Sequence, residues 1–108
     1  MLADSAIEIN AARLLLLRAA EEIDSGGDAR EWISMVKVDA AETLGRVADR
    51  AVQVFGGMGY CKALPIERLY RDARIFRIFD GTSEIHRMVV ARGLMKRGAA
   101  LFDPRYSE

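Results

Sequence analysis

The chain has 108 residues, of which 51% are hydrophobic and 30% charged, and its 16 basic residues balance 16 acidic ones. This length suits one small domain, and zero net charge gives no electrostatic reason to expect a nucleic acid or an anionic membrane as partner. Cys61 is the only cysteine and His86 the only histidine, so an intramolecular disulfide is excluded and no metal site is expected. No segment reaches the roughly 20 apolar residues that a membrane span needs.

Residues 2–23 are predicted to form the first helix, because alanine, leucine and glutamate dominate this segment. Apolar residues recur there at intervals of three and four positions: Ile7, Ala11, Leu14, Leu15 and Ala19. Leu16 and Leu17 widen the apolar surface beyond one face, and such a helix has to be covered on more than one flank. We therefore expect the chain to form a homodimer or tetramer, or to dock on a domain outside these residues.

A second helix is predicted from Asp28 to about Phe55. Asp28 and Glu31 have the spacing of a capping box, in which each side chain meets a free backbone N–H at the helix start. The apolar positions then keep a helical period, with Gly45 as the only weak point, and a single glycine costs about 1 kcal/mol against alanine.

The glycines Gly56, Gly57 and Gly59 interrupt the pattern that follows. They are typical of a helix C-cap followed by a loop. They would also permit the close approach of a ligand to the backbone, because glycine has no side chain to obstruct it. The residues alone leave both interpretations open.

Pro65 suits the start of a third, short helix from Ile66 to about Arg77. Thr82 or Ser83 can cap a last helix, which Gly98 can terminate. No stretch alternates with the period of a strand. We therefore predict an all-α, up-down helical bundle over residues 1–98, with a tail over residues 99–108.

Asp80 is the most informative carboxylate. It follows the mostly apolar run of residues 75–79 and precedes Gly81 at the mouth of the last helix. A lone acid in this setting suggests chemistry rather than solvation, because a carboxylate that is shielded from water is a stronger base.

Three motifs together resemble the C-terminal helical domain of the acyl-CoA dehydrogenases, a family of flavoproteins. They are Gln-x-x-Gly-Gly-x-Gly from Gln53, Arg-Asp-Ala from Arg71 and Gly-Thr-Ser-Glu-Ile from Gly81. The resemblance extends from Met1 to about Gly98, and the joint pattern is more specific than any single motif. It implies that this sequence corresponds to the last part of a larger chain, without the first helix of the family's bundle.

The resemblance also implies FAD as the cofactor. Gln53, Gly56 and Gly57 match the segment that contacts the adenosine end of FAD bound to a neighbouring subunit. Thr82 and Glu84 match positions near the flavin and its pyrophosphate, where the N-terminus of the last helix would present N–H groups to phosphate oxygens.

Asp80 matches the position of the family's catalytic base, and its neighbours Phe79 and Gly81 are expected to contact the substrate. The base removes the proton α to the thioester carbonyl while a hydride leaves the β-carbon for the flavin. Its own backbone N–H helps to hold the thioester oxygen. Most members have Glu at this position, and Asp is one methylene shorter.

Three interpretations of Asp80 follow from this difference. It is the base on a slightly shifted backbone, as in members that use Asp. It acts as the Asp of the distantly related nitroalkane oxidases, which also deprotonate carbon. Or it is only an acid at a helix start, and the base lies on another helix.

The resemblance implies an oxidoreductase of fatty acid metabolism that desaturates acyl-CoA thioesters between the α- and β-carbons. Electrons would pass to an electron-transferring flavoprotein, in the cytoplasm or in the mitochondrial matrix of a eukaryote. The alternative is a catalytically inactive helical module that oligomerises without binding flavin.

Overall fold

The computed structural model describes residues 1–102, and these residues form helices connected by turns, without a β-strand among them. The predicted all-α architecture is confirmed. The α-helices are α1 (Leu2–Asp24), α2 (Arg30–Phe55), α3 (Gly57–Tyr60), α4 (Ile66–Arg74) and α5 (Ser83–Arg97), and the 3-10 segments are Ile75–Arg77 and Gly98–Phe102. Residues 103–108 of the predicted tail lie outside the described residues.

Helices α1 and α2 form an antiparallel pair. Near the start of α1, the Arg50 guanidinium of α2 lies 2.7 Å from the Glu8 carboxylate. At the other end, the guanidinium of Arg18 lies 4.8 Å from the ring centroid of Trp32. The hydrogen bond from Arg50, aided by Arg46, lowers the pKa of Glu8 to about 2. The two charged contacts therefore fix the register of the pair at both ends.

The remaining helices pack on α2, which is the central element of the fold. Helix α5 lies against its N-terminal half, where Arg97 pairs with Glu31 and Arg87 lies 2.6 Å from Glu42. Helix α4 lies against its C-terminal half. The apolar side chains of this second contact are Leu44, Val47, Ala51, Ile66, Leu69 and Ala73.

The buried residues of the described chain are small, and no large apolar side chain is fully buried among them. They are Ser5, Ala19, Ala29, Ser34, Ala41, Thr43, Gly59, Ala73 and Ser83. Larger apolar side chains stay exposed, and Ile7 and Leu14 on α1 are each 67% exposed. The radius of gyration is 16.8 Å, against roughly 13 Å for a compact domain of this length. Residues 1–102 thus leave many large apolar side chains uncovered.

The capping box predicted at the start of α2 is only half formed. Asp28 Oδ1 accepts a hydrogen bond from the backbone N–H of Arg30, the first residue of α2, at 3.2 Å, and the same carboxylate binds the Arg30 guanidinium. Glu31 binds Arg97 on α5 instead of a backbone N–H. The hydrogen bond from Arg30 also lowers the pKa of Asp28 to about 2. The helix C-cap, one of the two interpretations of the glycines, is confirmed at Gly56, and the segment after it begins with the single helical turn of α3.

Within α4, Glu67 pairs with Arg71 four positions later, where the nearest N and O atoms are 2.9 Å apart. The predicted end of the last helix is confirmed. Helix α5 ends at Gly98, whose φ of 51° and ψ of −124° form a combination almost restricted to glycine. Within residues 1–102, none of the helices combines the length and the hydropathy that crossing a membrane would require.

Candidate functional site

A left-handed turn carries Asp80 into α5. Asp80 has a φ of 53° and Gly81 a φ of 85°, so two consecutive residues lie in the left-handed region. Asp is among the few residues with a side chain that adopt this conformation, and glycine adopts it without strain. This turn connects the 3-10 segment Ile75–Arg77 to α5.

Lys37 of α2 holds the turn on the side that precedes Asp80. Its ammonium group donates to the carbonyl oxygen of Phe79 at 3.1 Å and also to that of Phe76. The same Nζ lies 5.5 Å from the ring centroid of Phe79, and the Phe76 and Phe79 rings meet edge to face at 5.0 Å. One lysine thus fixes the backbone at the end of the 3-10 segment.

His86 of α5 holds the turn on its other side. Its Nε2 lies 3.1 Å from the carbonyl oxygen of Asp80, and its Nδ1 lies 3.1 Å from Oγ of the buried Ser34 on α2. A carbonyl oxygen only accepts, so Nε2 carries a proton, and in the neutral imidazole Nδ1 then accepts from the Ser34 hydroxyl. The turn is therefore tied to α2 through two side chains, Lys37 and His86.

The imidazole of His86 lies so close to Gly81 that a side chain does not fit at this position. A Cβ atom at this position would lie 2.7 Å from His86 Nε2, closer than real contacts allow. Together with the φ of 85°, this contact leaves glycine as the residue that fits.

The Asp80 carboxylate is exposed, so the shielding expected from the preceding apolar run is not provided by residues 1–102. The apolar residues of that run are themselves exposed, between 40% and 52%: Ile75, Phe76, Ile78 and Phe79. A run of apolar residues along the chain does not cover a carboxylate unless the run folds back over it. Here the carboxylate and its apolar neighbours are exposed together.

Thr82 caps α5, as predicted. Its Oγ1 accepts a hydrogen bond from the backbone N–H of Ile85 at 3.2 Å. Ser83 is buried behind the cap and Glu84 is exposed in the first turn. The first N–H groups of a helix lack intrahelical partners and suit an anion. The end of α5 that follows Asp80 thus has the polarity that a phosphate group requires.

The three glycines after α2 differ in the structural constraint that requires a glycine. Gly56 has φ 60° and ψ −141°, a conformation almost restricted to glycine. A Cβ on Gly59 would lie 2.9 Å from the Val52 carbonyl oxygen, so packing of α3 on α2 excludes a side chain there. Gly57 has neither constraint, since a Cβ there would meet no atom within 4 Å. Beside it, Gln53 is exposed.

The structure separates the predicted site residues into two groups. Phe79, Asp80, Gly81, Thr82 and Glu84 form one continuous segment, which α2 holds through Ser34 and Lys37. The second group, Gln53, Gly56 and Gly57, lies at the C-terminal end of α2. Position 53 lies sixteen residues after position 37 on the same helix, which corresponds to a rise of about 24 Å at 1.5 Å per residue.

Sequence analysis missed the residues that hold the turn. Lys37 and Ser34 lie far from Asp80 along the chain, and nothing in their spacing signals a role. Only Gly81 offered a clue, because a glycine before a helix cap indicates an unusual backbone conformation. Within residues 1–102, no group of three or more His, Cys, Asp or Glu side chains is arranged to hold a metal ion.

The sequence and the helical architecture match one class of protein domain. Residues 1–95 match the family model described as the acyl-CoA dehydrogenase C-terminal domain, and the chain belongs to this family.

Two curated relatives illustrate the match. The mitochondrial short-chain specific acyl-CoA dehydrogenase of Bos taurus is 47% identical over 95 residues, which are 88% of this chain and 23% of that protein. The caffeyl-CoA reductase-Etf complex subunit CarC of Acetobacterium woodii is 41% identical over 97 residues, 90% of this chain and 26% of that one.

A solved structure of an FAD complex of PigA superimposes with a TM-score of 0.80 at 33% identity, and the match covers 86% of this chain and 24% of PigA. The chain therefore spans about a quarter of the length of these proteins.

Proposed function

We propose that this chain is the C-terminal helical part of an FAD-dependent acyl-CoA dehydrogenase, in which Asp80 removes the proton α to the thioester carbonyl. The observation that carries the proposal is the left-handed turn at Asp80, which Lys37 and His86 hold directly before the capped start of α5. A fixed turn holds the backbone N–H and the Cα–Cβ direction of Asp80 in place, as a base that also binds the substrate oxygen requires.

In this proposal Asp80 has two tasks. Its carboxylate accepts the α-proton, and its backbone N–H donates to the thioester oxygen, where negative charge develops. Phe79 and Gly81 flank it and contact the substrate. The carboxylate is exposed in this chain, so we propose that another part of the protein or a second subunit covers it together with the apolar residues before it. Such cover would make the carboxylate a stronger base.

The residues available fit FAD in two places. The start of α5, with Thr82 and the backbone N–H of Glu84, suits the pyrophosphate, whereas the Glu84 carboxylate would have to point away from it. Gln53, Gly56 and Gly57 offer an exposed amide and open backbone to the adenosine end. When bound, the flavin supplies the acceptor for the hydride that leaves the β-carbon.

The two groups of site residues are held at positions of α2 that lie about 24 Å apart. This separation supports the proposal that each group contacts the FAD of a different subunit. The turn at Asp80 would serve the flavin and substrate of one subunit, and the glycine segment would serve the adenosine of the FAD bound to the neighbouring one. A homodimer or tetramer is thus part of the proposal.

We further propose an electron-transferring flavoprotein as the redox partner. The support is the relative CarC, whose name places it in a reductase-Etf complex. The substrate class is an acyl-CoA thioester.

The test is to replace Asp80. We expect FAD-loaded protein to oxidise an acyl-CoA, and Asp80→Asn to lower turnover by about 100-fold or more, since general bases contribute of this order. Its flavin absorbance should be unchanged, because Asn retains the size of the side chain and tolerates the left-handed backbone. Asp80→Glu, which restores the carboxylate common in the family, is the matched control and should lose less turnover than Asp80→Asn. Full turnover by Asp80→Asn would place the base elsewhere.

The second candidate is a helical oligomerisation module without catalytic activity. The exposed apolar face of α1 favours it, because Ile7 and Leu14 present apolar surface that this chain does not cover. Failure to take up FAD, combined with a defined dimer or tetramer in sedimentation analysis, would support this module and contradict the enzyme.

A further inference from the structure

We propose that Lys37 orients and polarises the backbone N–H of Asp80 and is thereby a positioning residue for the thioester oxygen. The inference rests on the proposed function, in which that N–H holds the substrate. It adds a residue of α2, 43 positions before Asp80, to the machinery of the reaction.

The geometric argument follows from the planarity of the peptide bond. The carbonyl of Phe79 and the N–H of Asp80 belong to the same peptide group, and in a trans peptide they point in opposite directions. The ammonium group of Lys37 binds this carbonyl at 3.1 Å. The lysine therefore fixes the direction of the N–H without touching it.

His86 completes the arrangement from the other side. It binds the carbonyl of the next peptide group, between Asp80 and Gly81, at 3.1 Å. Both peptide planes around the Cα of Asp80 are then held, one by each side chain. A residue with left-handed φ depends on such support, because the surrounding contacts must offset the cost of this conformation.

The electrostatic argument concerns the charge on Lys37. A hydrogen bond from a cation draws electron density toward the carbonyl oxygen, which makes the N–H of the same peptide group a stronger donor. The Phe79 ring, 5.5 Å from the ammonium group, lies on one side of the charge and limits its contact with water there. A neutral side chain of the same shape would preserve the packing and lose this effect.

A purely structural role for Lys37 has a different signature. Its second bond, to the Phe76 carbonyl, caps the end of the 3-10 segment, and lysine often does so at helix ends. Capping alone predicts a loss of stability in Lys37→Met, without an effect on a thioester bound at the turn. Lys37→Arg keeps the positive charge but changes the shape of the side chain, so it distinguishes an effect of charge from an effect of shape.

The first experiment uses the protein without added FAD. In a nitrogen–proton correlation spectrum, the amide proton of Asp80 is expected to move upfield in Lys37→Met by more than the other amides, and to stay near its original position in Lys37→Arg. Lys62→Met, which removes a charge from an exposed loop, is the matched control and should leave the Asp80 signal in place. An unshifted Asp80 amide in Lys37→Met would overturn the inference.

The second experiment uses the FAD-loaded protein. Lys37→Met should lower kcat by about 10-fold, less than the 100-fold or more seen when an oxyanion donor is removed outright, with KM and flavin absorbance little changed. The carbonyl stretch of a bound, unreactive acyl-CoA should move toward its value in water, and Lys37→Arg should reverse most of both effects. An unchanged stretch and kcat would overturn the inference alone, whereas a wild-type protein that binds no acyl-CoA would contradict the proposed function.

Discussion

The Cβ position of Gly81 lies 2.7 Å from Nε2 of His86, so the turn before α5 has room at this point for a hydrogen atom but not for a methyl group. The imidazole that excludes a side chain from Gly81 is the same group that binds the carbonyl of Asp80 at 3.1 Å. Glycine and histidine therefore act as a pair, and a change in one displaces the other.

Gly81→Ala is expected to destabilise the protein by about 2 kcal/mol, because a side chain at φ 85° is strained and its methyl group meets His86. The measurement is urea unfolding followed by circular dichroism. Gly45→Ala in α2 is the matched control, since its Cβ meets no atom within 4 Å. It should stabilise the protein by about 0.5–1 kcal/mol. Equal effects at the two positions would contradict this account of the turn.

The ion pair of Glu8 is expected to make the free energy of unfolding depend on pH. Its pKa falls from 4.5 to about 2 on folding, chiefly because of the hydrogen bond from Arg50. A lowered pKa in the folded state contributes stability above the unfolded pKa, and this contribution is lost as the pH falls from about 4.5 toward 2. The difference in unfolding free energy between wild type and Glu8→Gln should therefore shrink across this range.

The control for this titration is Glu21→Gln, because the Glu21 carboxylate on the same helix makes no ion pair with the described residues. Asp28 titrates in a similar range, but it is present in both proteins and cancels in the comparison. A Glu8→Gln curve parallel to that of wild type from pH 5 to pH 2 would show that the ion pair with Arg50 does not contribute.

Substitutions at two glycines after α2 are expected to affect different properties, stability in one case and FAD binding in the other. Gly59→Ala should destabilise the protein by about 1–3 kcal/mol, because its Cβ would press on the backbone of Val52. Gly57→Ala should leave stability unchanged within about 0.5 kcal/mol, yet weaken FAD binding if the cofactor approaches this backbone. Unfolding curves and flavin titrations measure the two effects. Full FAD affinity in Gly57→Ala would remove this position from the cofactor site.

The exposed face of α1 is expected to mediate assembly. Ile7 and Leu14 are both 67% exposed and lie seven residues apart, on the same side of the helix. Leu14→Glu should shift the protein toward monomers in sedimentation velocity, because a buried charge without a partner opposes association. Leu14→Met retains apolar character and should keep the assembly of the wild type. A monomeric wild-type protein would contradict the prediction.

Local features were predictable from the sequence because each depends on residues a few positions apart. The cap at Thr82, the pair Glu67–Arg71 and the end of α5 at Gly98 are all of this kind. The Glu31 half of the capping box at the start of α2 does not form, for the opposite reason. Glu31 has the right spacing, but Arg97, 66 residues away, binds its carboxylate instead.

The candidate site shows the same limit. Motifs identified Asp80, but Lys37 and His86 became relevant only once α2 and α5 lay side by side, with contacts spanning 42 and 52 residues. The exposure of Asp80 was likewise beyond prediction. An apolar run near it indicates surface to be covered, but not whether this chain or another supplies the cover.

The length of α2 has a consequence for mixed assemblies. If its two ends serve two different cofactors, a subunit damaged only at Gly57 and one damaged only at Asp80 carry complementary defects. In a heterodimer of the two variants, one active site would contain both damaged residues and the other would contain neither. Two inactive variants would therefore form a partly active heterodimer.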